Sequence, residues 1–229
     1  EARAPCPRTC HHWTDCYGNA MHWSRRHAHG PALIKRLGVE IAERAAAHPH
    51  GFVVRVHILG DFWSVEYVEA WARWLDQFSA LRVFGYTAWP PSTPIGAALA
   101  KLRDERWERF AVRLSTVGPG PATAITVTAV EEVPKGAVLC PAQTGATECC
   151  GSCGVCWAAA AKQRPIAFLR HGMVPSGSKP APPPEQKPPP APGPEPELAW
   201  LPVGRLSPDP RYQRGSSSRR SPKLIAKIA

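Results

Sequence analysis

Two groups of cysteines are the residues whose type and spacing carry the most chemistry in this sequence. The first group is Cys6, Cys10 and Cys16, and the second is Cys140, Cys149, Cys150, Cys153 and Cys156. Thiolates are soft ligands that suit zinc and iron–sulfur clusters. Eight cysteines grouped so tightly indicate metal binding in a reducing compartment rather than a secreted disulfide scaffold. We therefore expect a cytoplasmic metal-binding protein.

The spacing of the second group fits two kinds of metal centre. Two residues separate Cys150 from Cys153 and Cys153 from Cys156, and glycines within the run let the backbone turn tightly. Such a run is typical of ferredoxin-like iron–sulfur sites. It is also compatible with zinc held by cysteines from two loops. If four of the five cysteines bind metal, either Cys149 or Cys150 is spare, and a spare thiol would also allow redox sensing.

The first group offers three cysteines from one loop, with His11 and His12 in reach as further ligands. Three protein ligands leave one position of a four-iron (4Fe-4S) cluster open. An open position is what chemistry at a metal centre requires, whereas a closed four-ligand site is usually structural. The first group is therefore the candidate for a reactive iron–sulfur centre.

Polar residues also follow the first strand that the sequence predicts. His57 lies near the end of that strand, and Gly60 and Asp61 follow it. Ligands of parallel α/β folds bind where strands end. Asp61 could accept hydrogen bonds from a ligand, or it could cap the helix that begins near Ser64. For His57, a place in the core is the simpler interpretation.

The elements that must position these residues alternate between strand and helix over residues 1–173, which form the predicted α/β metal-binding domain. Hydrophobic periodicity predicts strands at 52–58, 82–86, 110–114, 125–130, 137–139 and 166–169, and helices at 31–47, 65–78 and 94–103. This alternation predicts a mainly parallel sheet with flanking helices, either open or closed into a partial barrel. The cysteine-rich loops would lie at the two ends of the domain.

The rest of the chain differs in composition. Residues 174–199 contain eleven prolines, which predicts a disordered, extended linker without a core. Residues 200–229 carry seven Lys and Arg against one acidic residue, in a chain of net charge +10. This basic excess suits contact with nucleic acid, although a solvated tail explains it equally well. No apolar run reaches about 18 residues, so we expect no membrane partner.

Short motifs in fixed order resemble a phage and plasmid family known as gene product 88, over roughly residues 5–178. The resemblance lies in RVHILGDF at 55–62, FGYT at 84–87, CPAQ at 140–143, CGVCW at 153–157 and FLRH at 168–171, together with residues 10–17 and 67–71. The layout is also similar to radical S-adenosylmethionine (SAM) enzymes, some of which carry a second cysteine-bound cluster. Their usual Cys-x3-Cys-x2-Cys motif has a shorter second gap than the five residues found here.

The radical SAM resemblance implies roles for particular residues. Cys6, Cys10 and Cys16 would hold a 4Fe-4S cluster, SAM would bind its free iron, and Gly60 and Asp61 would line the SAM pocket. Residues 200–229 resemble the opening of a ParB-like N-terminal domain, on the motifs WLPV, PDPRYQR and RRSPKLI. Together these resemblances imply a phage or plasmid iron–sulfur protein that modifies nucleic acid. The alternative is a non-catalytic zinc or iron–sulfur module that binds nucleic acid.

Overall fold

Strands and helices alternate along the part of the chain that the structure, a computed structural model, describes, namely residues 4–16, 18 and 26–170. The predicted linker at 174–199 and the ParB-like segment at 200–229 lie outside these residues. The strands are β1 (Phe52–Val56), β2 (Leu81–Thr87), β3 (Phe110–Ser115), β4 (Thr123–Val127), β5 (Val138–Leu139) and β6 (Ile166–Leu169). The helices are α1 (Pro31–Ala47), α2 (Val65–Gln77), α3 (Pro94–Glu105) and the single turn α4 (Cys150–Cys153).

The six strands form one sheet in the order β1-β2-β3-β4-β6-β5, and every neighbouring pair is parallel. The sheet is curled into a half-barrel with helices at its flank, which confirms the predicted α/β fold with a partial barrel. Because all strands run the same way, their carboxyl ends meet at one edge. Residues that follow different strands are thereby brought together at that edge.

The two faces of the sheet belong to two different hydrophobic clusters. Val83 and Val112 pack in the cluster that holds the apolar faces of α1, α2 and α3. Phe84 and Ala111, their neighbours in sequence, pack in a second cluster with Cys156. Successive side chains of a strand point to opposite faces, so this alternation places the second cysteine group on the face opposite the helices.

Two helices begin at side-chain caps that the sequence provides. The Ser64 hydroxyl accepts a hydrogen bond from the Tyr67 amide at 3.2 Å, which starts α2. The Thr93 hydroxyl accepts from the Gly96 amide at 3.2 Å, and Pro94 occupies the first turn of α3. Each cap satisfies an amide that has no partner within its helix, so the two helices start at defined points after β1 and β2.

Two predicted strands differ from the structure by two or more residues at an end, whereas the other strands agree to within one residue. The strand predicted at 52–58 ends at Val56, and Gly60 has a positive φ of 83°, so the chain turns away before Asp61. The strand predicted at 125–130 runs from Thr123 to Val127. In both cases the apolar run continues past the last ladder hydrogen bond, because the residues after the strand contribute to a cavity or a turn instead.

Gly85 in β2 allows β1 and β2 to approach closely. It pairs with Val56, and a Cβ at this position would overlap the Val56 carbonyl oxygen. We expect Gly85→Ala to lower the free energy of unfolding by about 1–3 kcal/mol, measured by denaturant titration. Gly118→Ala is the matched control, since nothing lies within 4 Å of its Cβ position, and should change stability by less than about 0.5 kcal/mol. Equal effects of both variants would contradict this account.

Candidate metal centre and strand-end cavity

A cavity of about 440 Å³ lies at the carboxyl ends of the strands. Residues at or just after β1, β2, β3, β4 and β6 contribute to its wall, among them Gly60, Asp61, Thr87, Ser115 and Thr126. The loop at the amino end of the described chain supplies the rest, including Cys6, Cys10 and Cys16. The structure therefore brings the three cysteines of the first group and the predicted Gly60–Asp61 pair to one cavity.

Side-chain contacts fasten the loop of the first cysteine group over the strand ends. His12 Nε2 lies 2.9 Å from the Thr126 hydroxyl in β4, and its Nδ1 lies 3.2 Å from Asp15. Asp15 in turn forms an ion pair with Arg170, which follows β6. Because both ring nitrogens of His12 already have partners, His12 holds the loop in place and is poorly suited to the ligand role that its spacing allowed.

Cys10 of the first cysteine group is partly buried and lies near other groups that can carry negative charge. Burial raises the pKa of the Cys10 thiol, and the nearby Cys16, Asp61 and Asp15 raise it further, although a backbone hydrogen bond opposes them. A thiol in such surroundings stays protonated unless positive charge is supplied. A metal centre would supply that charge and stabilise the thiolates.

Asp61 ties the ends of two strands together. Its Oδ1 accepts hydrogen bonds from the Phe62 amide and the Thr87 hydroxyl, both at 2.8 Å, and its Oδ2 accepts from the Ala88 amide at 2.7 Å. Asp61 is 4% exposed. It does not cap α2, because Ser64 does so. Asp61 therefore shapes the cavity wall. Among the described residues its Oδ2 accepts one hydrogen bond, from the Ala88 amide, so a second lone pair could accept from a ligand.

The buried Asp61 carboxyl predicts a pH dependence of stability. Burial raises its pKa from 3.8 to about 6, although the three hydrogen bonds oppose the shift. Because the pKa is higher in the folded state, Asp61 contributes to the free energy of unfolding in full below about pH 4, and this contribution is lost as pH rises through about 6. The free energy of unfolding should fall by about 3 kcal/mol over this range.

This dependence is measurable by urea unfolding of the chain and of Asp61→Asn across that pH range. We expect the variant to be less stable at low pH, because Ala88 loses an acceptor, but to lack the decline between about pH 4 and 6. A decline of the same size in both proteins would show that other groups cause it.

His57 lies between the strand-end cavity, whose wall it lines, and the buried core residues Phe62 and Tyr67. This packing fits its interpretation as a core residue. Burial lowers its pKa to about 4, so the ring is neutral near pH 7. Its Nε2 lies 3.2 Å from the Tyr67 hydroxyl, and its ring packs edge-on against Phe62. Its Nδ1 is buried and has no hydrogen-bond partner among the residues that the structure describes.

Comparison of the chain with protein-family models, with curated proteins and with solved structures gives no match. The resemblances to the gene product 88 family and to the ParB-like domain therefore stay predictions that rest on their motifs. In the described part of the chain, no helix is long and apolar enough to cross a membrane.

The second cysteine group lies at a different place from the first. Cys140, Cys150, Cys153 and Cys156 line a small cavity of about 10 Å³. Cys149 is exposed and does not line it; its Sγ lies 3.6 Å from the Ser152 hydroxyl. The structure thus separates the adjacent pair that the sequence left unresolved, because Cys150 is grouped with the other three cysteines and Cys149 is not.

The Tyr86 side chain lies between the two cavities. Tyr86 lines the strand-end cavity, and its hydroxyl lies 3.0 Å from Cys156 Sγ at the second. None of the eight cysteines forms a disulfide. Within residues 4–16, 18 and 26–170, no three His, Cys, Asp or Glu side chains lie close enough together to hold a metal ion without rearrangement. Metal binding would therefore draw sulfurs together around cavities that they already line.

Sequence reasoning missed Arg113, which lies beside the second cysteine group and is 0% exposed. A signal was present, because a charged residue interrupts the otherwise apolar strand at 110–114. Sequence reasoning also gave no role to Thr126, Asp15 and Arg170. Thr126 contacts His12, and Arg170 contacts Asp15, so both contacts join the cysteine loop to residues more than a hundred positions away. No local sequence pattern reveals such contacts.

Proposed function

We propose that the chain is a radical SAM-like iron–sulfur protein that binds a 4Fe-4S cluster on Cys6, Cys10 and Cys16 and SAM in the strand-end cavity. The observation that carries this proposal is that three thiols from one loop line a cavity at the carboxyl ends of a curled parallel sheet. Three cysteines would leave one iron of such a cluster without a protein ligand, and SAM in the same cavity could occupy that position.

The size and lining of the cavity suit a small molecule of mixed polarity. Its volume of about 440 Å³ falls within the range of pockets that enclose such ligands. The Thr87, Ser115 and Thr126 side chains contribute hydroxyl groups to the wall, whereas Ile125 and Phe168 contribute apolar surface. Hydroxyl groups would orient the polar ends of SAM, and apolar surface would cover its adenine ring.

The roles of this chain's own residues follow from their contacts. When bound, the cluster would supply one electron, received from a low-potential donor, to the sulfonium of SAM. Asp61 would hold the wall through its bonds to Phe62 and Ala88, and Gly60 would let the backbone turn close to the ligand. The pair His12 and Thr126 would keep the cysteine loop closed over the cavity, which limits the access of water.

The proposal is tested on protein purified and reconstituted without oxygen, then reduced and mixed with SAM. We expect SAM to change the electron paramagnetic resonance spectrum of the reduced cluster, and methionine and 5′-deoxyadenosine to accumulate. The control is the same protein mixed with S-adenosylhomocysteine, which lacks the sulfonium and cannot be cleaved this way. An iron–sulfur spectrum that SAM leaves unchanged would contradict the SAM part of the proposal and favour electron transfer.

The proposed setting is the cytoplasm of a cell that carries the phage or plasmid, and the proposed substrate class is nucleic acid. The net charge of +10 and the basic residues between 200 and 229 support a polyanionic partner. They equally favour the second candidate, a non-catalytic metal module that binds nucleic acid. That candidate predicts DNA affinity that falls steeply with salt and does not depend on Cys6, Cys10 or Cys16.

A further inference from the structure

Arg113 is a buried cation that contacts the backbone of the second cysteine group at Cys156. Its guanidinium donates to the carbonyl oxygens of Cys156 at 2.9 Å, Arg164 at 3.0 Å and Ala161 at 2.8 Å. It also lies over the ring of Trp107, 5.0 Å from the centroid. Neutral carbonyls satisfy its N–H groups but do not balance its charge, and an unbalanced buried charge is costly.

The groups that can balance Arg113 are the neighbouring thiols. No ion pair joins Arg113 to a carboxylate among the described residues, whose ion pairs involve other cations. Cys156, whose carbonyl oxygen accepts from the guanidinium at 2.9 Å, brings a thiol of the second group to this place. A divalent ion on four thiolates carries a net charge of about −2, so such a centre would supply the negative charge that this place in the fold lacks.

Four cysteines of the second group line one small cavity, and an ion bound there would draw their sulfurs together. Cys150 and Cys153 lie on the single turn α4, and Gly154 has a left-handed φ of 66° that turns the chain toward Cys156. Cys140 comes from the segment after β5. The cavity that these four line measures about 10 Å³, and four thiols around one position match the tetrahedral ligand set of zinc.

We propose that Cys140, Cys150, Cys153 and Cys156 form a closed four-thiolate site for a single zinc ion, with Arg113 balancing its charge and Cys149 outside it. The Tyr86 hydroxyl lies 3.0 Å from the Cys156 sulfur and would donate to it once zinc binds the thiolate, as partners of metal ligands commonly do. This site is structural, since four protein ligands leave no open position. The inference does not depend on the proposed radical chemistry, because it involves none of the cysteines of the first group.

The test on the unaltered chain combines zinc analysis with thiol alkylation mapped by mass spectrometry. We expect about one zinc per chain at the second group. Iodoacetamide should modify the exposed Cys149 rapidly, whereas Cys150 and Cys153 should react only after a chelator removes zinc. Alkylation of Cys150 and Cys153 at a rate that chelation does not change would overturn the proposal, and so would equal protection of Cys149.

Variants separate this site from the first group. Cys149→Ser should keep its zinc, whereas Cys153→Ser should lose it, and serine at positions 6, 10 and 16 together should leave the zinc in place. Cobalt(II) in Cys149→Ser should give the intense visible bands of a tetrahedral thiolate site, a result that does not require Cys153→Ser to fold. Loss of zinc from Cys149→Ser, or iron with matching sulfide at this group, would overturn the proposal.

Discussion

Replacing Cys10 with serine is expected to remove the iron–sulfur cluster from the strand-end cavity. Cys10 is the middle cysteine of the first group in sequence, and it lines the cavity with the other two. A serine oxygen is a poor ligand for iron in such a cluster. Two remaining thiolates would not retain a four-iron cluster during purification. Iron and acid-labile sulfide should each fall from about four per chain to less than about one, and the brown absorbance should disappear with them.

The matched control for Cys10→Ser is Cys149→Ser. Cys149 is exposed and lines neither cavity, so this variant removes one thiol without touching either proposed site. We expect its iron and sulfide content to equal that of the unaltered chain. If Cys10→Ser kept its cluster, or if both variants lost iron equally, the assignment of the cluster to the first cysteine group would be wrong.

Replacing Arg113 with methionine is expected to cause the largest loss of stability among single substitutions of the buried polar residues. The variant keeps much of the side-chain volume but removes the donor to the carbonyl oxygens of Cys156 and Arg164. The Ala161 carbonyl oxygen would keep only its bond from the Arg164 amide. The substitution also removes the cation that would balance the charge of the proposed zinc site. Losing one member of a buried charged arrangement typically lowers the free energy of unfolding by about 3–5 kcal/mol.

Denaturant unfolding of Arg113→Met with zinc present provides the measurement. Arg82→Met is the control on the neighbouring strand, because Arg82 is exposed and its replacement should matter by less than about 0.5 kcal/mol. Arg113→Lys should fall between the two, since lysine keeps the charge but cannot reach several carbonyls with one planar group. Unchanged stability of Arg113→Met would show that its carbonyl contacts and charge contribute nothing.

The fold was largely predictable because its signals are local. The buried strands read as β-branched apolar runs, and the helix that starts at Ser64 has both a cap and an apolar face. The bounds of α1 agree with the prediction at both ends. Strand ends were predicted less well, since an apolar run does not show where the ladder stops and the cavity wall begins, as at His57.

The candidate site was predictable only in its residue types. Cysteine spacing singled out both groups, but it could not tell Cys149 from Cys150, because adjacent thiols look alike until the backbone places one inside and one outside. The contacts of Asp61 with Ala88 and of Tyr86 with Cys156 join different strands and loops. Such contacts depend on register and topology, which a single sequence does not specify.

The most direct measurement of the central claim is the iron, sulfide and zinc content of the unaltered chain, purified and reconstituted without oxygen. The account predicts about four iron and four sulfide per chain, with a broad brown absorbance, together with about one zinc. Iron and sulfide should follow Cys6, Cys10 and Cys16, and zinc should follow the second group. A colourless chain that holds zinc alone would contradict the iron–sulfur centre and leave a metal module that binds nucleic acid.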